Sequence, residues 1–340
     1  METRVAVLGT GYWAQFQVGA WRSLGVPVVA VWNRTRERAE AFASNWAIPH
    51  IFDTAEELFS WGQFDLADII AGVEAHEPLV LMAARYGKPV ICQKPMSDTL
   101  VSCRRMVSAC EQAGVWFAVH ENFRYQPPIQ AFKRALESGV CGRLERAHLI
   151  MRSPDRAVLQ AQPALRTMDQ MALRDMGPHI LDVARYLFGE IAALTTVPLV
   201  AYSDLSIMTG ALTLLRTVDG LPVQCDLTHQ WPYRILVTGD RGTLTLDNDY
   251  RLHTLTADGE TVTDTRTWDV LPFIPEDEWR LHGGHVFAAL PACLADLLDA
   301  HERGVPAATS GANTYRTMQA LFAAIASSDE GRTVAPADLG

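Results

Sequence analysis

Between an apolar run, Val5-Ala6-Val7-Leu8, and a helically periodic segment stands Gly9-Thr10-Gly11-Tyr12-Trp13-Ala14. This G-x-G-x-x-A spacing at a strand-to-helix turn suits a pyrophosphate. Gly9 would make the tight turn, Gly11 would let backbone reach the phosphates, and Ala14 would let the helix pack on the strand. The helix then offers unpaired N–H groups and the positive end of its dipole to the anion. A second set of chemistry-bearing residues is Gln93-Lys94-Pro95. A lysine at the carboxyl end of a parallel strand projects into the crevice where such sheets bind ligands. Pro95 restricts Lys94 to an extended backbone. His120-Glu121-Asn122 ends a later strand and faces the same crevice, where His120 and Asn122 would read hydroxyl groups unless His120 and Glu121 pair with each other. Farther on, Asp175 and His179 are four apart, so a helical first turn would put both on one face. Pro178 is tolerated there because a first turn has no N–H bonds to lose.

About twenty residues past a dinucleotide turn, an Asp or Glu would bind the ribose 2′-hydroxyl and favour NAD. This chain has Asn33-Arg34-Thr35-Arg36 there. No carboxylate repels a 2′-phosphate, and Arg34 can pair with one, so the residues favour NADP over NAD. The other reading of Arg34, Arg36 and Arg38 is a solvated helix start.

The elements that must hold these groups alternate through the first 125 residues. Apolar strands are expected at 5–8, 28–31, 67–70, 90–92 and 116–119, with helices near 13–24, 35–46, 76–86 and 97–113. Alternation of this kind implies right-handed crossovers and a parallel sheet covered on both faces, hence an α/β Rossmann domain over 1–125. From about 142 the texture changes to period-2 segments separated by turn signals such as Asp219-Gly220 and Asp258-Gly259. Residues 126–340 therefore read as an α+β domain with a large, mainly antiparallel open sheet. Its closing helices, 285–303 and 312–327, are free to pack back on the first domain. If the strands run as their periodicity suggests, Leu215, Leu227, Leu236 and Leu246 lie on the uncovered sheet face. Isologous pairing of that face would give a homodimer or homotetramer.

Composition narrows the class. With 340 residues, 49% hydrophobic and 20% charged, the chain can bury full cores in two domains. A net charge of −10 without a basic, aromatic-rich cluster argues against nucleic-acid binding. No apolar run approaches the roughly 18–20 residues of a membrane span. The first strand starts by Arg4, which leaves no room for a leader. The six scattered cysteines lack C-x-x-C spacing and read as reduced thiols of a cytoplasmic protein. His282-Gly283-Gly284-His285 lacks a carboxylate or cysteine at ligand spacing and reads as helix-entry histidines, so no metal is expected.

Cys92-Gln93-Lys94-Pro95 resembles the E-K-P motif of the glucose–fructose oxidoreductase/inositol dehydrogenase (Gfo/Idh/MocA) family. The turn at 9–14, Asn122-Phe123-Arg124-Tyr125-Gln126-Pro127 and Asp175-Met176-Gly177-Pro178-His179-Ile180-Leu181-Asp182 resemble further motifs of that family, in the same order. The ending at 327–334 is similar as well. The resemblance implies hydride transfer between a nicotinamide cofactor and a sugar or polyol hydroxyl, with Lys94, Asp175 and His179 as the catalytic set. Elementary chemistry agrees, since alcohol oxidation needs a base such as His179 and a group such as Lys94 to steady the oxygen. Asp182 would either orient the imidazole or face solvent. Thr10, Tyr12, Trp13, Val73, His76 and Gln93 fall within the implied cofactor-binding set, with Gly9, Gly11, Ala14, Asn33, Arg34 and Lys94.

Three departures stand out. Gln93 replaces the family's usual Glu and removes a negative neighbour of Lys94. Gly72-Val73 stands where Pro-Asn is usual, although His76 is kept, and Asn33-Arg34 replaces the ribose carboxylate. The set Cys92–Pro95, Val73–His76 and His120–Arg124 is similar to aldose dehydrogenases of this family that act on apiose-like pentoses. An aldose oxidised at its anomeric carbon is the implied substrate, with Gln162 in the polar loop 154–166 and His229-Gln230-Trp231 as further candidate contacts. Two other readings stay open. An NAD-dependent glycosidase would release free sugar with no net change in NAD(P)H. A non-catalytic cofactor or sugar sensor would belong with relatives that tend to lose the lysine or the histidine, both present here.

Overall fold

A computed structural model describes residues 3–153, 156–200, 202, 204–205, 207–228 and 234–339. The chain divides into two compact units: Met1–Asn122 with Val270–Glu276 and Ala289–Tyr315, and Phe123–Asp269 with Asp277–Ala288 and Arg316–Gly340.

In the first unit the elements alternate: β1 (Val5–Leu8), α1 (Ala14–Ser23), β2 (Val28–Trp32), α2 (Arg36–Trp46), β3 (His50–Phe52), α3 (Ala55–Trp61), β4 (Leu66–Ile69), α4 (His76–Arg85), β5 (Val90–Gln93), α5 (Leu100–Ala113) and β6 (Phe117–His120). The strands pair in the order β3-β2-β1-β4-β5-β6, every neighbour parallel. Parallel strands covered on both faces must be apolar throughout, and β1 and β4 are buried at every residue. Asp68 of β4 breaks that apolar run with a fully buried carboxylate. Local signals set the helix ends. Thr54 and Glu57 form a capping box on α3, and Gly114, in the left-handed region, ends α5. The exposed edge of β6 is closed by residues 307–311: Val119 N donates to Thr309 O at 2.9 Å and Thr309 Oγ1 to Val119 O at 2.7 Å. Gly19 of α1 lies under the Phe273 ring, where a Cβ would come within 2.2 Å of the ring.

The second unit carries α6 (Pro127–Glu137), β7 (Leu144–Arg152), α7 (Arg156–Ala161), α8 (Gly177–Phe188), β8 (Ile191–Leu199), β9 (Gly210–Thr217), β10 (Pro222–Thr228), β11 (Arg234–Gly239), β12 (Gly242–Leu246), β13 (Arg251–Thr256) and β14 (Gly259–Asp264). The helices α9 (Glu276–His282), α10 (Gly284–Glu302) and α11 (Gly311–Glu330) follow. Eight strands pair in the order β14-β13-β12-β11-β7-β10-β9-β8. All neighbours are antiparallel except β7 and β10. One face is covered, with α8 against β7 and β10 and α6 against β12 and β13. The other carries exposed apolar side chains, among them Val197, Leu199, Leu214, Leu255 and Val262.

The face assignment drawn from periodicity is corrected here. Leu215, Leu227 and Leu246 are buried core residues, and of the four leucines only Leu236 is partly exposed. A slip of one residue in phase moves every side chain of a strand to the opposite face. In β9 the adjacent Leu214 and Leu215 make either phase look equally apolar, and it is Leu214, 57% exposed, that points away from the core.

Candidate active site

The glycine turn sits where the order of the parallel sheet reverses, beside β1 and β4. Gly9 has φ +109°, and a Cβ there would lie 2.5 Å from Ile70 O and 2.7 Å from Ala71 N, so only glycine fits. Gly11 is different. Its only near neighbour for a Cβ is Ile70 O at 3.8 Å, and the residue is exposed, so nothing in the chain itself requires glycine there. A ligand in close approach to the backbone would. The N-terminus of α1 has no side-chain cap and no acidic residue in its first turn. Thr10 Oγ1 is buried without a hydrogen-bond partner among the described residues. Open backbone, an uncapped helix start and an unmet hydroxyl together fit a dinucleotide pyrophosphate. Tyr12, Trp13 and Phe16 pack edge-to-face at 5.4–5.6 Å and stiffen the turn.

At the end of β2, Asn33 is already engaged. Its Oδ1 accepts from Thr10 N at 3.2 Å and its Nδ2 donates to Thr35 O at 3.0 Å, so it ties the glycine turn to β2. Arg34 is 86% exposed at the side chain and lies 4.0 Å from Glu74, which the loop after β4 supplies. Val73 belongs to the 3-10 turn Val73–Ala75 in that loop. His76 is buried, with Nδ1 3.0 Å from Pro95 O and 3.3 Å from Met96 O, and Nε2 3.2 Å from Ala71 O. Burial pushes its pKa down, so a neutral imidazole fastens the loop after β4 to the loop after β5.

The ends of β5 and β6 are in register, Gln93 opposite His120. Gln93 Oε1 accepts from Lys94 N at 2.7 Å, and Gln93 Nε2 donates to Gln17 Oε1 at 2.8 Å and lies 3.3 Å from His120 Nδ1. Lys94, joined to Pro95 by a cis peptide, is partly exposed, whereas His120, Glu121 and Asn122 are buried. Behind Gln17 lies Asp68, which sequence reasoning missed. Gln17 Nε2 donates to its two oxygens at 2.8 and 2.9 Å, and Trp21 Nε1 donates at 2.7 Å. Burial pushes this carboxyl up to about 7, against the pull of those neutral donors. The signal was present as one carboxylate inside the apolar run Leu66-Ala67-Asp68-Ile69.

In the second unit, Asp175 lies in a π-helical turn, Ala172–Met176, that leads into α8, rather than in the α-helical first turn expected. His179 occupies the first turn of α8 and is buried, with the Phe123 ring stacked on it at 3.6 Å and 5°. Asp182 is fully buried, which overturns its solvent-facing reading. Arg124 grips it with two hydrogen bonds, Nε to Oδ2 at 2.7 Å and Nη2 to Oδ1, and Thr317 Oγ1 adds a third at 3.2 Å. Gln162 precedes the 3-10 turn Pro163–Thr167 and is partly exposed. The supposed polar loop is structured around it, since Leu159, Leu165 and Met171 form a small core with Val158 and Met168. His282 ends α9 and His285 begins α10 around Gly283 at φ +88°, so only the second is a helix-entry residue. His229, Gln230 and Trp231 lie outside the described residues, as does Pro154.

Comparison with known proteins fits this architecture. Residues 3–121 match the model of an oxidoreductase family with an NAD-binding Rossmann fold, and residues 129–245 match the Gfo/Idh/MocA C-terminal domain. The chain belongs to the Gfo/Idh/MocA family of nicotinamide-dependent oxidoreductases. It is 32% identical over 346 residues to a D-apiose dehydrogenase of Rhizobium rhizogenes, covering 98% of this chain and 97% of that protein. An inositol 2-dehydrogenase of Acidothermus cellulolyticus is 30% identical over 235 residues, 66% of each chain. A solved oxidoreductase from Agrobacterium radiobacter, in complex with NAD+, L-tartaric acid and magnesium, superposes with a TM-score of 0.91 at 30% identity over the whole of both chains.

Asp68 carries a pH dependence whose sign follows from its surroundings. An unfolded aspartate ionises near about 3.9, whereas folded Asp68 ionises at about 7, so between those values the folded chain holds the extra proton. Its contribution to stability is intact below about pH 4 and falls as pH rises to about 7, by up to roughly 1.4 kcal/mol per pH unit. Denaturant unfolding of the unaltered protein and of Asp68→Asn, from about pH 4 to about pH 8, should show the difference between them drifting against the unaltered protein and levelling above about 7. Parallel stability curves would refute this assignment.

Proposed function

We propose that the protein is a sugar dehydrogenase that oxidises an aldose at its anomeric carbon, with Lys94, Asp175 and His179 as its catalytic groups. The observation that carries the reading is the polar end of β5 and β6. Lys94, Gln93 and His120 meet there, at the carboxyl ends of parallel strands, in the unit that holds the uncapped glycine turn. Full-length likeness to a D-apiose dehydrogenase supports a pentose-like substrate.

The turn at 9–14 and the start of α1 would hold the pyrophosphate of a nicotinamide dinucleotide, which supplies the hydride acceptor. Lys94 donates a hydrogen bond to the reacting oxygen and stabilises its alkoxide character. His179 takes the hydroxyl proton, its ring plane fixed by Phe123. Asp175 accepts from a neighbouring hydroxyl, and His120, Asn122 and Gln162 bind the rest of the sugar. A site of paired donors and acceptors rejects a substrate that lacks one hydroxyl.

The cofactor we infer is NADP, with Arg34 on the 2′-phosphate and Asn33 occupied by the glycine turn. A specific observation favours NAD instead: the Glu74 carboxylate lies 4.0 Å from Arg34 and would repel that phosphate. We also infer a homodimer or homotetramer through the uncovered sheet face, where Leu214, Val197 and Leu199 would be buried.

On a panel of aldoses and polyols, Lys94→Ala and His179→Ala should each lower turnover by ~10²–10⁴ while dinucleotide affinity stays within a few-fold. The product of the preferred sugar should be its lactone or aldonate. Near-normal turnover in either variant excludes that residue, and a panel that yields only aromatic diols defeats the sugar reading. In equilibrium titrations, Arg34→Ala should weaken NADP by roughly 1.5–3 kcal/mol and NAD hardly at all, while Glu74→Gln strengthens NADP. Tighter binding of NAD to the unaltered protein decides for the second reading. Sedimentation should show an oligomer that Leu214→Asp dissociates without unfolding the subunit, whereas Leu227→Ala costs about 2–5 kcal/mol of subunit stability. A 37.5 kDa monomer at micromolar concentration rules the interface out.

A further inference from the structure

We propose that Asp68 is a positioning residue: through Gln17 it dictates which end of the Gln93 amide faces Lys94, and it is the reason this chain carries glutamine rather than glutamate at position 93. The proposal deepens the reading of Lys94 as a substrate-facing group and rests on it for its functional consequence, though its structural test does not.

An ionised Asp68 can only accept hydrogen bonds. Both oxygens of Asp68 receive N–H donors, two contacts from Gln17 Nε2 and one from Trp21 Nε1, as a carboxylate requires. Asp68 and Trp21 are fully buried and Gln17 is 1% exposed, so water cannot substitute for either amide orientation. An amide that turns its NH₂ toward Asp68 must turn its oxygen the other way, and Gln17 Oε1 points at Gln93. Gln93 must then present its own NH₂ to Gln17, which leaves Gln93 Oε1 for the backbone N–H of Lys94 at 2.7 Å. The same NH₂ lies 3.3 Å from His120 Nδ1, which accepts, so the His120 proton resides on Nε2. One carboxylate thus orders two amides, one backbone N–H and one imidazole tautomer.

A glutamate at position 93 would set its oxygens against Gln17 Oε1, and Gln17 could not turn without setting its oxygen against Asp68. Two ionised carboxylates, one at 68 and one at 93, are therefore mutually exclusive with Gln17 between them, the condition that holds above about pH 7. Reversing both ends of the relay removes the conflict. In the Asp68→Asn/Gln93→Glu double variant, the new amide at 68 donates to Gln17 Oε1, Gln17 turns its NH₂ to the new carboxylate, and that carboxylate still accepts from Lys94 N–H. His120 then donates from Nδ1.

The experiment is a double-mutant cycle of Asp68→Asn, Gln93→Glu and the pair, at a pH near 8.5, read three ways. By ¹⁵N spectroscopy of labelled histidine, His120 should be the Nε2–H tautomer in the unaltered protein and Nδ1–H in the pair. In thermal unfolding, Gln93→Glu alone should lower the midpoint and the added Asp68→Asn should restore it. With a turned-over sugar, each single variant should lower kcat by ~10–10²-fold with KM and dinucleotide affinity within a few-fold, and the pair should recover most of the loss. Additive effects of the two changes on the unfolding midpoint, or an unchanged His120 tautomer in the pair, overturn the proposal. The first two readings need no turnover, so they remain decisive if the protein oxidises no sugar, an outcome that would defeat the functional reading alone.

Discussion

The first unit depends on the approach of Gly9 to the backbone at Ile70 and Ala71. β1 pairs with β2 on one side and β4 on the other, so the chain leaving β1 must turn up through the gap at which the crossovers diverge. A Cβ at Gly9 would fall 2.5 Å from the carbonyl oxygen of Ile70, whose own N–H donates to Leu8 O at 2.8 Å. That contact fixes where α1 begins. It therefore fixes the direction of the helix start and the depth at which Gln17 and Trp21, one and two turns later, reach Asp68. The placement of the helix start and the buried Gln17–Asp68–Trp21 hydrogen bonds are two consequences of one close packing of backbone on backbone.

The Rossmann half was legible because its strands are buried on both faces and read as continuous apolar runs between helical patterns. Its one missed strand, β3, is three residues long and sits at the sheet edge, too short for any periodicity. In the second half, β7 and β8 escaped notice for physical reasons. The β7 sequence Leu-Glu-Arg-Ala-His-Leu-Ile-Met-Arg puts charged and polar residues on the open face beside apolar ones, and β8 carries Pro198 near its end. Yet β7 is central, and its parallel pairing with β10 joins two antiparallel halves into one eight-stranded sheet. Sequence adjacency gives no hint of that pairing, because β8 and β9 intervene.

The site residues show the same division. Gly9 was readable because backbone geometry demands a residue type there. Lys94 and His179 drew attention through motif resemblance, and the structure puts Lys94 just past the end of β5 and His179 in the first turn of α8. Asn33 and His76 were expected among the cofactor contacts, but their side chains turn inward to bind the glycine turn and the Pro95–Met96 carbonyls. A residue beside a crevice can hold its wall or touch its contents, and spacing alone does not separate the two. Asp68 and Gln17 were invisible for the converse reason, since a carboxylate in a strand and an amide in a helix acquire meaning only when folding brings them within 3 Å.

Two buried carboxylates, compensated in opposite ways, show how the fold divides its labour. Asp68 has only neutral donors, which cannot cancel its charge, so it stays poised to ionise near neutrality and acts by orienting dipoles. Asp182 instead has a guanidinium, and removing one partner of such a buried pair costs about 3–5 kcal/mol. That pair does more than stabilise. Arg124 follows Phe123 directly, and Asp182 lies one turn beyond His179 on α8. Arg124 locked on Asp182 and Phe123 stacked on His179 are therefore two adjacent attachments of the same 3-10 turn to the same helix face. Asp182 and His179, one turn apart on α8, thus hold the same 3-10 turn, the first through a charged pair and the second through a stacked ring, an arrangement that the three-residue spacing within the helix could not have suggested.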